Sequence, residues 1–334
     1  MKITVKRNTL NIEFSLEQFT QLCGTNIKDK EYVIDSLDKY FSTSKYQDYD
    51  AKYIDNILVD EEDVGRKYFE TAVIRNRSDI LNLLKITKTS RLKKHIEILL
   101  HESTCQEQLF AIENALNIIF NGINENLMYC DSMLNLEYEP SDIFEIVQKS
   151  DVRAQNDKYL EELTNYELLD ELIKLLNAYQ QDSGVKLMLI IDNIDHLIDK
   201  NEYEVICEKL LEAIKKSDLW IIISTTLDGY AYITRYTITG ITCINDIVYN
   251  MPTIDELMDF LGRHYPMYME FCEDDIFKMM TLVIQHVGKD EYAKDYRADI
   301  LLKLINVAEG MKQATKIELN NPEISFLMRK DMVK

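Results

Sequence analysis

Two short runs limit most strongly what this chain can fold into. Residues 187–191 (LMLII) and 219–223 (LWIII) are apolar at every position. A strand with one face in water alternates polar and apolar side chains. A strand apolar throughout is covered on both faces, as in a parallel sheet sandwiched between helices. A helical pattern over about residues 201–216 joins the two runs, and a third apolar run follows at 247–251. Strand, helix, strand, strand is the signature of a mostly parallel α/β sheet.

The rest of the chain is organised around that sheet. Ile3 and Val5, then Leu10, Ile12 and Phe14, alternate with polar residues about Arg7 and Asn8, which predicts a β-hairpin. A short apolar-leaning segment at 19–23 ends at Gly24, and Tyr32, Val33, Leu37, Tyr40 and Phe41 then recur at helical spacing. Two further strand-like runs lie at 57–59 and 68–74. From about 79 to 182 apolar residues recur three and four apart, interrupted by Gly122 and Pro140 and closed by Gly184, which predicts long antiparallel helices. Glycine and proline together number only 9 + 4 = 13, in keeping with long helices and few tight turns. Past Pro252, Thr253 and Glu256 form a capping box, and helical patterns run over 254–264, 274–287 and 296–314 before a last strand-like run at 324–328. The expected division is a head in two parts (1–78 and 183–251), an inserted helical leg (79–182) and a mainly helical extension (252–334).

Three segments suggest a nucleotide-binding ancestry. GTNIKDKE at 24–31 fits the phosphate-loop frame G-x-x-x-x-G-K-[ST] at Gly24 and Lys30 only. Asp29 replaces the second glycine and Glu31 replaces the hydroxyl residue that would bind Mg²⁺. Two carboxylates in a phosphate cradle repel the ligand. Asp192 ends the 187–191 run as a metal-holding acidic strand end would, but Asn193 stands where a catalytic glutamate is usual. Ser224 and Thr225 tip the next run like a γ-phosphate sensor. A degenerate phosphate-loop NTPase-like sheet without ATPase activity is therefore expected; the alternatives are an ATPase with a divergent site and a structural adaptor that binds no nucleic acid.

The formal charge is 38 − 58 = −20, which on its face argues against a nucleic-acid partner. Charge is segregated, however. Between Asp79 and Glu97 lie Lys85, Lys88, Arg91, Lys93 and Lys94 with no acidic residue, whereas residues 131–182 hold thirteen acidic and four basic residues. The stripe either pairs with that acidic segment or tracks phosphates without reading bases. Arg75, Arg77, Arg329 and Lys330 are further candidate DNA contacts. The six scattered cysteines form no C-x-x-C pair and read as reduced thiols; the five histidines show no ligand spacing. Carboxylates cluster at Glu137, Glu139 and Asp142, and at Asp192, Asp195 and Asp199, where a hard cation such as Ca²⁺ is one reading and a solvated turn and a helix first turn favouring Asp are the other. No apolar core follows Lys2, Lys6 and Arg7, and no run approaches the length of a membrane span, so a cytoplasmic protein is expected.

The order of pieces resembles a family. The degenerate loop at Gly24 and Lys30, LNLEYE at 134–139, DIFEI at 142–146, LMLIID at 187–192 and MRKDMV at 328–333 look like the CRISPR-associated adaptation accessory proteins of type II-A systems, in their longer subfamily. The resemblance covers most of residues 1–250 and the last ten. It implies a non-enzymatic homotetrameric ring of α/β heads and helical legs, whose basic lumen accepts the ends of linear double-stranded DNA during spacer acquisition. It also implies Ca²⁺ as a candidate ligand, and other CRISPR adaptation proteins and the type II effector nuclease as partners. The extension at 252–323 is expected to pack against a neighbouring subunit through Phe277, Met280, Val283, Leu301 and Leu304.

Overall fold

A computed structural model describes residues 1–7, 10–42, 46–87, 90–129, 150–154, 157–266, 272–290 and 295–311. Its centre is a six-stranded sheet in the order β5-β6-β7-β3-β8-β9. The strands are β3 (Phe19–Cys23), β5 (Glu70–Ile74), β6 (Leu187–Ile191), β7 (Leu219–Ser224), β8 (Ile241–Ile244) and β9 (Val248–Asn250). All pairings are parallel except β8 with β9. Every residue of β3 and β6 is buried, as the continuous apolar run of β6 requires. A second, three-stranded antiparallel sheet joins β1 (Lys2–Arg7), β2 (Leu10–Ser15) and β4 (Ile57–Val59) in the order β2-β1-β4. The expected hairpin thus forms, with Ile3 opposite Phe14 and Val5 opposite Ile12.

Helices cover the main sheet on both sides. On one, α1 (Ile27–Tyr40) buries Val33, Ile34 and Leu37 against Leu22, Met188, Ile190 and Ile222 and against the small sheet. On the other, α2 (Arg77–Leu84), α5 (Asn165–Ser183) and α6 (Lys200–Lys216) pack Ile80, Leu168, Leu172, Leu176, Ile206 and Leu210 on Leu189, Ile191, Ile221 and Ile223. Gly184, at φ +64°, ends α5 as a left-handed cap. Between α2 and α5 come α3 (Arg91–Leu100) and α4 (Ser103–Tyr129). The segment 79–182 is therefore not a leg throughout: its first and last helices belong to the core of the sheet.

Two further expectations need correction. The third parallel strand is β8, whose Thr242 and preceding Gly240 hide the apolar pattern; the run at 247–251 supplies only the short antiparallel β9. The extension packs on its own subunit. In α7 (Ile254–His264), α8 (Glu273–Val283) and α9 (Tyr296–Ala308), Met280, Val283 and Leu301 are fully buried with Cys23, Ile241 and Cys243, and Phe277 and Leu304 lie against that cluster. The Thr253–Glu256 capping box forms at the start of α7.

Candidate functional site

The carboxyl ends of β3, β6, β7 and β8 meet at one edge, where open α/β sheets ordinarily bind ligands. Gly24 follows β3 at φ +109°, and a Cβ there would lie 2.3 Å from the Ile244 carbonyl oxygen. Only glycine fits, and the reason is the close approach of β8 rather than of a phosphate. The first two N–H groups of the loop are already taken. The Gly24 N–H donates to Gln285 Oε1 at 2.6 Å and the Thr25 N–H to Asn245 Oδ1 at 2.7 Å. Gln285 Nε2 donates in turn to Thr225 Oγ1, and Asn245 Nδ2 to the carbonyls of Gln285 and Val287. Two side-chain amides therefore accept the loop's first N–H groups, one from the end of β8 and one from the extension.

Lys30 completes the closure. Its side chain is 1% exposed, and Nζ donates to the Thr225 carbonyl at 2.6 Å and to Thr226 Oγ1 at 3.2 Å. Burial pushes its ammonium down from the usual lysine range, while Cys23, Asp195 and Asp192 pull the other way. Asp192 accepts from Ser224 Oγ at 2.6 Å, so the acidic strand tip faces its neighbour strand's hydroxyl. Asp195 accepts the N–H groups of Thr226 and Leu227, and Asp199 caps α6. Asp29 is held by Arg7 and accepts from Asn26 Nδ2. The expected nucleotide-site residues Gly24, Lys30 and Asp192 do converge, but in a sealed hydrogen-bond network.

The aspartates at 192, 195 and 199 are thus engaged separately and do not fit a Ca²⁺ ligand set. Among the described residues no group of three metal-ligating side chains is assembled. Glu137, Glu139 and Asp142 lie outside the described residues. Cys23, Cys207 and Cys243 are buried free thiols, Cys105 is partly exposed and Cys272 exposed. Burial pushes the Cys23 thiol up to about 11, away from nucleophilic use.

The basic stripe is not a single helix. The α2 helix ends at Leu84, Lys85 is its C-cap, and Ser90 starts α3 as a new N-cap. Lys85 pairs with Glu161. Arg91 is 6% exposed and turned inward, donating to Glu70 and to the Thr71 carbonyl. Lys94 also donates to Glu70, and Lys93 lies 3.9 Å from Glu97. Arg75 pairs with Asp35 at 2.5 Å, and Arg77 donates to the carbonyls of Glu161 and Leu163. The segment that looks unopposed in sequence is therefore paired, and mostly not with α5: Glu70 on β5 and Glu161 supply the carboxylates. At 6% exposure, Arg91 does not share an exposed stripe with Lys85 and Lys94. Lys88, Arg329 and Lys330 lie outside the described residues.

Sequence reasoning missed Gln285 and Asn245. Neither belongs to a motif, and Gln285 reaches Gly24 across 261 residues of chain.

No family model matches the chain, and no curated protein matches it. A weak likeness joins it to the SmcHead bound to the C-winged helix domain of ScpA, at a TM-score of 0.43 and 12% identity, over 77% of this chain and 98% of that one. The crystal structure of Stu0660 of Streptococcus thermophilus is far more similar, at a TM-score of 0.85 and 18% identity, over 98% of this chain and 100% of that one. The chain therefore shares one fold with Stu0660 along its length: mixed α/β, with a mainly parallel six-stranded sheet.

Proposed function

We propose that the chain is a non-enzymatic, sequence-independent binder of linear double-stranded DNA, working as a homotetrameric ring that accepts duplex ends and supports spacer acquisition in CRISPR immunity. Its sheet is a phosphate-loop NTPase-like one whose nucleotide site has been filled by its own side chains. The observation that carries the non-enzymatic half is the closed loop, with Gly24 and Thr25 bonded to Gln285 and Asn245 and Lys30 buried among strand tips. The motif resemblance supports the DNA half, and the chain shares its fold with Stu0660 along its length.

Self-assembly is supported by α4. This helix exposes Phe110, Ile118 and Met128 at 65%, 72% and 73%. It carries three carboxylates and no lysine or arginine. An apolar helix face of this kind calls for cover by another surface, which a ring of identical subunits provides. No described helix is long and apolar enough to cross a membrane.

The test is retention of a linear duplex beside a covalently closed circle of the same sequence. The linear form is retained independently of sequence, with affinity falling steeply as salt rises, and the circle is not. Equal retention of both contradicts end capture. No retention of either at low salt leaves a structural adaptor. ATP turnover that disappears in Lys30→Ala would establish the ATPase instead.

A further inference from the structure

At the amino ends of β5 and β6, opposite the closed loop, lies an open cavity of about 640 Å³. Arg66, Lys67, Arg91, Lys94 and Lys186 line it, against only two carboxylates, Glu70 and Asp38. An excess of three cations around one cavity is out of character for a chain of formal charge −20. One carboxylate is moreover shared, since Glu70 Oε1 accepts from both Arg91 and Lys94 while Oε2 accepts from the Tyr179 hydroxyl. Burial pushes the Asp38 carboxyl up from its usual range, which weakens its opposition to the cations.

The cations themselves are placed for a ligand. Lys186 has no carboxylate partner among the described residues; its ammonium donates to the Tyr68 hydroxyl at 2.9 Å and lies 5.0 Å from the Phe69 and 4.8 Å from the Trp220 ring centres. Lys67 is exposed, again without a carboxylate partner among the described residues. Arg66 is anchored through the Ser42 and Tyr40 carbonyls and stacks on Tyr46. Most telling is Arg91. Two of its guanidinium nitrogens are bonded, but the buried Nε has no acceptor. A buried donor left without a partner is costly, and this one belongs to a side chain that lines the cavity.

We propose that this cavity is a phosphate-binding site, taking a phosphate group with several anionic oxygens through Arg91, Lys94, Lys186 and Lys67. Guanidinium and ammonium groups lining one cavity suit a tetrahedral oxyanion. The site does not depend on the closed loop at the other end of the sheet. It rests on the duplex reading only for the source of the phosphate, which is then the end or backbone of a DNA strand rather than a free anion.

Trp220 is the chain's single tryptophan and lies under Lys186, so its emission reports on the cavity. Inorganic pyrophosphate titrated into the full chain should change that emission saturably, with a dissociation constant tighter than about 1 mM and a matching calorimetric heat. Lys67→Gln with Lys94→Gln should weaken it by roughly tenfold or more, because charge-assisted contacts are lost while Arg91 keeps Glu70. No saturable signal in either readout, or the same affinity in the double variant, overturns the site. Linear duplexes with 5′-phosphate and 5′-hydroxyl ends form the second arm. Weaker retention of duplex by the double variant, at unchanged oligomeric mass, ties the site to DNA. Unchanged duplex retention by that variant overturns the DNA source but not the duplex reading. Pyrophosphate binding without duplex retention sinks the duplex reading and keeps the site, with a free phosphate compound as its ligand.

Discussion

The two ends of the six-stranded sheet solve opposite problems with similar residue types. At the carboxyl end, Gly24, Thr25 and Lys30 direct their donors at Gln285, Asn245 and Thr225, so that polar groups face one another. At the amino end, Lys67 and Lys186 lack carboxylate partners among the described residues, and Arg91 keeps a buried donor without an acceptor. The residues that look like a nucleotide site are internal structure, and the open cationic site lies where the fold class does not lead one to look. A phosphate loop is a geometry of free N–H groups, and here the N–H groups of Gly24 and Thr25 are bonded within the chain.

The contrast can be broken at the closed end first. Gly24→Ala should give the largest effect. A Cβ 2.3 Å from the Ile244 carbonyl oxygen, on a backbone at φ +109°, should cost about 3–4 kcal/mol in chemical denaturation. An unchanged midpoint would mean that β8 does not press on the loop. Next comes Gln285→Leu, which strips the Gly24 N–H of its acceptor in a buried place and should cost about 2 kcal/mol. Were the variant instead as stable as the parent and newly able to bind nucleotide, the amide would be a removable plug rather than a structural bond.

The smallest expected effect belongs to neither end and supplies the background. Glu167 and Glu256 accept the backbone N–H groups of Thr164 and Thr253 in capping boxes, and this holds both carboxyls below the usual glutamate value. Their folded values are depressed, so their contribution is fully present above the unfolded value. It is lost as the pH falls through the folded ones. Thermal midpoints followed down through the acid range should show Glu167→Gln and Glu256→Gln converging with the parent; a constant difference at all pH values would contradict the capping account.

Much of the architecture was legible in sequence because burial on both faces leaves no choice of residue. Runs 187–191 and 219–223 became β6 and most of β7, and Thr253 with Glu256 marked a helix start. What failed has a physical pattern. The basic run over 85–94 looks continuous in sequence, but Lys85 and Ser90 are caps that separate α2 from α3. The apolar faces of the extension were visible, but not whether they met this subunit or another; Met280 and Leu301 meet Cys23 and Ile241 of the same chain. The candidate site was half legible. Gly24, Lys30 and Asp192 could be brought together by motif order, whereas Gln285 and Asn245 act through amides that carry no pattern. Likewise nothing in the sequence joins Lys67, Lys94 and Lys186, because they come together only through the pairing of β5 with β6 and the bond of Lys94 on α3 to Glu70.

We propose that the chain fills its degenerate loop with its own side chains and holds DNA elsewhere. Native mass measurement tests it most directly, with the full chain presented to Mg·ATP and to a linear duplex of about 40 base pairs in parallel. The predicted result is an oligomer that gains the mass of duplex and none of nucleotide. A nucleotide adduct that Lys30→Ala removes, with no duplex bound, would contradict the account.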